Sequence, residues 1–163
     1  KTAIAQEFGI FNRLYTAVPT SSMPNHMFTQ TGTSCGTKNN IFPWSSCGGS
    51  QLLYPQWTIY DQMKVDGIEF GIYFEAKPKT IEPPDAYMTG VLRALSEWRL
   101  FDQFKIQAKN GQLPAFSWVI PNHISTDHPC NDIRLGEAVQ KEVYEVLRAS
   151  EKWNSTLFFS LSM

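Results

Sequence analysis

Pro19-Thr20-Ser21-Ser22-Met23-Pro24-Asn25-His26, running on to Gly32, is the stretch from which the rest of the chain is read. It reads as a loop that delivers a serine to the first turn of a helix. Ser22 is a good N-cap, because its hydroxyl can accept from the free backbone N–H groups of that turn. Pro24 sits near the start, where a missing N–H costs nothing. Met27, Phe28 and Thr31 follow at helical spacing, and Gly32 can close the helix in a left-handed conformation. A serine in that place points its oxygen at the spot where a helix collects anions. Free N–H groups and the positive end of the dipole stabilise a phosphate and favour an ionised alkoxide. The local pattern therefore leaves two readings, a cap and nothing more, or a nucleophile placed to attack phosphorus.

Upstream, Thr2 to Phe8 reads as a short helix ended by Gly9. Ile10 to Val18 is rich in strand formers and stops at Pro19. A strand ending in a loop that opens a helix is where α/β proteins place their chemistry. Downstream, Gly32-Thr33-Ser34-Cys35-Gly36 matches the Gly-x-Ser-x-Gly elbow of serine hydrolases. That elbow requires a strand before it and a helix after it. Here a helix precedes, and Thr37 to Pro43 makes a poor helix, so a loop is the better reading and a serine hydrolase built on Ser34 is the rival.

Ile41 to Trp57 is loop-like and aromatic, suited to packing as a local lid, the safer reading, or to touching an apolar substrate. Thr58-Ile59-Tyr60-Asp61 has the form of a capping box, opening a helix that ends near Asp66 and Gly67. Ile68 to Phe74 is a strand. After the proline-rich connector from Lys77 to Pro84, Asp85 can cap a helix with Met88, Val91, Leu92, Leu95 and Trp98 on one face. Phe101 to Ala108 continues as a second short helix, broken at Asn110-Gly111. Leu113 to Pro121 is a strand, followed by a loop through Asn131. The clearest helix comes next, with Leu135, Ala138, Val139, Val143, Val146 and Leu147 on its apolar face and Glu137 and Lys141 one turn apart. Thr156 to Leu161 begins a further strand. Repeated strand–loop–helix units predict an α/β fold, three layers α/β/α around a mostly parallel sheet.

The chain has 163 residues and a formal net charge of −1, enough for one domain with a real core. Near-neutral charge argues against nucleic acid as a partner. No apolar run reaches the roughly eighteen residues of a membrane span, which leaves only peripheral membrane contact open. The three cysteines, Cys35, Cys47 and Cys130, have no zinc spacing. Cys35 and Cys47 can pair if the protein is exported, leaving Cys130 over. Asn154-Ser155-Thr156 is a glycosylation sequon, meaningful only in a secretory compartment, and it abuts the strand expected from Thr156.

Ser22-Met23-Pro24-Asn25-His26 resembles the nucleophile motif of the alkaline phosphatase superfamily, in which Ser, Thr or modified Cys is followed by x-Pro-[Asn/Ser]-[Arg/His]. The closer likeness is to the phosphoesterase family of non-specific phospholipases C, bacterial phospholipases C and acid phosphatases. Its members read roughly Ser-Val-Pro-x-x-[Ser/Thr]-x-Pro-Asn-Arg, against Ala17-Val18-Pro19-Thr20-Ser21-Ser22-Met23-Pro24-Asn25-His26 here. His26 departs from the family's Arg. Thr126-Asp127-His128-Pro129, then Asp132-Ile133-Arg134-Leu135-Gly136-Glu137, resembles the family's Asp-Asp-His-Pro block and the Asp-Val-x-x-Gly helix after it. The likeness runs on through Glu142 to Ser150 and Trp153 to Leu157.

The resemblance implies an alkaline-phosphatase-like fold and hydrolysis of a phospholipid or small phosphoester through a seryl-phosphate intermediate. Ser22 would attack phosphorus, Asn25 and His26 would hold phosphoryl oxygens, His128 would assist the leaving group, and Asp127 would orient His128 or its loop. It also implies a divalent metal. The family's Glu-Asn segment and its Tyr-Asp-Glu-His-Gly block, which supply metal ligands, have no counterpart in this sequence, and Thr126 stands where the family has its first Asp. No metal ligand is assigned here. The resulting expectation is an incomplete phosphoesterase domain spanning 1–163, inactive or barely active alone. The alternative is a catalytically dead relative that only binds phosphoesters.

Overall fold

The computed structural model describes residues 1–40, 55–75, 93–122 and 126–161. The aromatic stretch from Ile41 to Tyr54 with Cys47, the connector from Lys77, the Asp85 cap with Met88, Val91 and Leu92, and the centre of the loop after Pro121 lie outside the described residues.

Helices α1 (Thr2–Glu7), α2 (Ser22–Thr31) and α3 (Ile59–Val65) precede strand β1 (Phe70–Phe74). Strand β2 (Trp98–Leu100) runs directly into α4 (Phe101–Lys109). Strand β3 (Phe116–Ile120) is followed by the long helix α5 (Ile133–Arg148). The three strands form one sheet in the order β2-β1-β3, and both pairings are parallel. Ile72 stands opposite Trp98 on one side and Trp118 on the other.

Both faces of the central strand are covered, which is why β1 reads as a continuous apolar run. Phe70 and Ile72 point to one face, where Met23 and Met27 of α2 and Tyr60 of α3 meet Phe116, Trp118 and Ile120 of β3. Tyr73 points to the other, where Phe101, Phe104 and Ala108 of α4 and Val143 and Leu147 of α5 bury it together with Val119. Helices on both faces of a parallel sheet make the three-layer α/β/α arrangement that the strand–helix alternation predicts.

Local chemistry sets several boundaries. Thr58 and Asp61 form the full capping box at the start of α3. Gly67, at φ 68°, turns the chain off that helix, and the Ile68 N–H bonds back to the Met63 carbonyl at 2.9 Å. Gly32, at φ 72°, closes α2 in the same left-handed conformation. Asp132 caps α5 by accepting from the Arg134 N–H at 3.0 Å.

Four expectations need correction. Ile10 to Val18 is not a strand, and Ile10, Phe11, Leu14 and Tyr15 are exposed. Thr156 to Leu161 is not one either: it follows a 3-10 turn at Trp153–Ser155 as irregular chain. Both segments have strand composition, but a strand exists only as a ladder, and neither has a ladder partner among the described residues. Trp98 belongs to β2, not to a helical face. Its backbone pairs with Ile72, and its ring lies 5.6 Å from that of Phe74. On α5, Leu135 is exposed. Glu137 there pairs with the amino group of Lys1 at 3.0 Å, while Lys141 reaches forward to Glu145 at 3.6 Å.

Candidate active site

The cap at the head of α2 is not the predicted one. Ser21 is the last residue with extended backbone, and its side chain makes no capping bond. Ser22 is already helical. The free N–H of Met23 is taken instead by the side-chain oxygen of Asn40, 2.9 Å away. A backbone N–H can only donate, so this contact fixes the orientation of the Asn40 amide. Its nitrogen must then be the donor to Ser22 Oγ, at 3.1 Å. Ser22 is half-buried, its oxygen accepts from Asn40, and among the described residues no acceptor takes its own hydroxyl proton.

Asn25 sits one turn into the helix and is 3% exposed. Its oxygen accepts from the Val18 N–H at 3.1 Å, and its nitrogen donates to the carbonyls of Val18 at 3.1 Å and Ser21 at 3.0 Å. The amide is thus spent on the backbone of the loop that presents Ser22, not turned toward a ligand. The Thr20 hydroxyl ties the same loop to the Lys38 carbonyl. His26 is half-buried on the same turn as Asn25. The apolar side of α2 rests on α3, whose start is held by an ion pair between the buried Asp61 and the partly exposed Arg93. Burial pushes the Asp61 carboxyl up. The Arg93 guanidinium, at 2.6 and 2.7 Å, and the N–H and hydroxyl of Thr58 outweigh that and hold it below the usual carboxylate value.

His128 lies in the loop between β3 and α5 and is exposed. Its Nδ1 is 2.8 Å from the Pro129 carbonyl oxygen, which can only accept. Nδ1 therefore carries the proton, and Nε2 is the nitrogen presented outward. Asp127 does not orient this ring: its carboxylate pairs with Lys1 Nζ. The loop is ordered instead by the Thr126 hydroxyl oxygen, which accepts from the His128 N–H at 3.4 Å and from the Asn131 side chain at 3.3 Å. Gly136 has a steric reason. A Cβ there would meet the Asp127 nitrogen at 2.7 Å, so only glycine lets the loop lie on the first turns of α5. Among the described contacts, no hydrogen bond or ion pair links Ser22 or Asn25 to Asp127 or His128.

A sequence model of the Phosphoesterase family matches residues 1–160. The chain belongs to the phosphoesterase family. Among curated proteins of Arabidopsis thaliana, it is 35% identical to non-specific phospholipase C1 over 93% of this chain and 28% of that protein. It is 34% identical to non-specific phospholipase C5, over 95% of this chain and 30% of that protein. It is 32% identical to non-specific phospholipase C6, over 94% of this chain and 30% of that protein. The chain thus spans about three-tenths of the length of the relatives it matches.

Within this phosphoesterase chain, the elbow around Ser34 is excluded by its surroundings. Gly32 ends a helix, Ser34 is buried, and its carbonyl accepts from the Thr37 N–H in a turn rather than opening a helix. Among the described residues, no three His, Cys, Asp or Glu side chains come together as a metal site. The described donors therefore do not make up a site for the metal that the resemblance implies. Cys35 is disulfide-bonded and Cys130 is free. The residue missed from sequence is Asn40. Its signal was weak, one of two adjacent asparagines in the loop Lys38-Asn39-Asn40, because its contact with Ser22 joins residues on either side of α2.

Proposed function

We propose that this chain carries the nucleophile half of a phosphoester hydrolase acting on a phospholipid head group or a small phosphoester, with Ser22 as nucleophile. The observation that carries the reading is Ser22 Oγ on the first turn of α2, fixed by the Asn40 amide beside the Met23 N–H. In the attack, Ser22 Oγ forms a bond to phosphorus, the bond to the leaving oxygen breaks, and the serine proton passes to a base or to water. The helix N-terminus is a favourable place for the phosphoryl oxygens. The Asn40 amide nitrogen, already on Oγ, is placed to follow the oxygen into the phosphoserine. His128 supplies a proton to the leaving oxygen from Nε2 when its ring carries both protons, the Nδ1–H remaining on the Pro129 carbonyl. Asn25 acts by shaping the loop and His26 by lining it. The named phospholipases C among the relatives support a phospholipid as substrate, which the protein would meet by peripheral contact with a membrane surface. No helix among the described residues is long and apolar enough to cross a membrane.

Turnover by the 163-residue chain alone is slow or nil in this reading, because a divalent ion needs several hard oxygen donors that the described residues do not bring together. Two measurements test it together. The first is hydrolysis of p-nitrophenyl phosphate and p-nitrophenyl phosphorylcholine with and without added divalent metal. Robust metal-dependent turnover removes the claim of slow catalysis. The second is covalent trapping by a fluorophosphonate, in which the serine oxygen displaces fluoride and the adduct is located by peptide mass. The label is expected on Ser22 and absent from Ser22→Ala. A label on another residue, or an unchanged label in the variant, removes Ser22 as the nucleophile. Tight phosphoester binding with neither turnover nor label would favour a binding-only relative.

A further inference from the structure

We infer that Asn154 is an acceptor for an N-linked oligosaccharide. Asn154-Ser155-Thr156 is the only Asn-x-Ser/Thr triplet in the sequence, and its middle residue is not proline. The sequence places it against a strand, where a glycan would clash with a ladder partner. The structure removes that obstacle. The triplet occupies a 3-10 turn at Trp153–Ser155 and leaves it as irregular chain. Trp153 faces inward, its ring edge-on to Phe8 at 6.1 Å and Tyr144 at 5.8 Å, with the Arg148 guanidinium 5.4 Å from its centre. That anchoring turns the next residue out. Asn154 is exposed, and its side chain makes no hydrogen bond among the described residues.

Its position tolerates a large substituent. Trp153 packs in the α4–α5 layer, on the face of the sheet opposite α2 and Ser22. Helix α5 starts beyond the C-terminal end of β3 and runs back along the sheet. Its far end therefore carries Asn154 away from the His128 loop. A second, independent feature agrees with a secretory compartment: Cys35 is in a disulfide, a bond that forms and persists under oxidising conditions. In the transfer, Asn154 Nδ2 bonds to the anomeric carbon of a lipid-diphosphate-linked oligosaccharide. The sugar–phosphate bond breaks, the lipid diphosphate leaves with the electron pair, and the amide gives up one proton.

The test produces the full chain behind a cleavable secretion signal in eukaryotic cells and reads the protein recovered from the medium and from the endoplasmic reticulum. Wild type is expected to migrate slowly, to collapse to the faster form with peptide N-glycosidase, and then to show Asp at position 154 by peptide mass. Asn154→Gln and Thr156→Ala are each expected to give the fast form directly. Asn154→Gln should also unfold at the same temperature as enzymatically deglycosylated wild type. Wild type with an unmodified Asn154 in both compartments overturns the inference. So does a glycan that persists in Asn154→Gln. Neither result bears on the phosphoryl chemistry at Ser22.

Discussion

The loop before α2 and the loop before α5 each deliver a candidate catalytic side chain to a helix start, and they are built differently. The first is closed from inside. The Asn25 amide is buried and makes three bonds to its backbone, Asn40 holds both Ser22 and the Met23 N–H, and Met23 and Met27 tie the helix to the core. The second lies open. His128 is exposed, and its loop is held by the Thr126 hydroxyl and by close contact with Gly136. A nucleophile must meet phosphorus along one line, so its oxygen gains from being fixed beforehand. A proton donor needs only to come within hydrogen-bond reach of a leaving oxygen and can sit on a less constrained loop.

That contrast breaks if variants of the first loop cost no more than variants of the second. The largest effect is expected from Asn25→Ala. It leaves the Val18 N–H without its acceptor and takes a donor from the Val18 and Ser21 carbonyls, the former keeping the Thr20 N–H, and should lower unfolding stability by about 2 kcal/mol in urea titration. Asp61 supports the same side of the sheet and comes level with it. Its folded-state pKa lies below the ordinary 3.8, so its stabilisation is complete above that value and is lost as pH falls through the lower one. Asp61→Asn should cost about 2 kcal/mol near neutral pH, less than a fully buried pair because Arg93 is partly exposed, and should flatten the loss of stability below about pH 4. Thermal unfolding across pH reads both.

Asn40→Ala sharpens the comparison at smaller magnitude. Losing the acceptor for the Met23 N–H should cost about 1 kcal/mol, the ordinary worth of a helix cap. Asn40→Asp keeps that acceptor and should restore stability, yet it cannot donate to Ser22 Oγ, so fluorophosphonate labelling should stay slow. Equal labelling of Asn40→Asp and wild type would reduce Asn40 to a cap. The smallest stability effect belongs to His128→Ala, within about 0.5 kcal/mol of wild type, as expected for an exposed side chain. Whatever slow hydrolysis of the p-nitrophenyl esters the wild-type chain shows should nonetheless fall on the order of a hundredfold in this variant. A stability loss as large as that of Asn25→Ala would mean that the second loop is structural as well.

Much of this protein follows from local order along the chain. The capping box at Thr58 and Asp61, the left-handed exits at Gly32 and Gly67, the amphipathic face of α5 and the continuous apolar run of β1 depend on neighbours within a turn or two. Pattern and spacing are sufficient for these, and for the alternation that makes the fold α/β. Ser22 at a helix start and His128 in the loop after a strand were legible for the same reason. What pairs with what was settled only in three dimensions. Ile10 to Val18 and Thr156 to Leu161 have strand composition but no ladder partner among the described residues, while the short Trp98–Leu100 became a strand because β1 lies beside it. The cap of α2 passed from Ser22 to Asn40, and the partner of Asp127 from His128 to Lys1, because hydrogen bonds and ion pairs are decided by distance in space, which sequence spacing does not record.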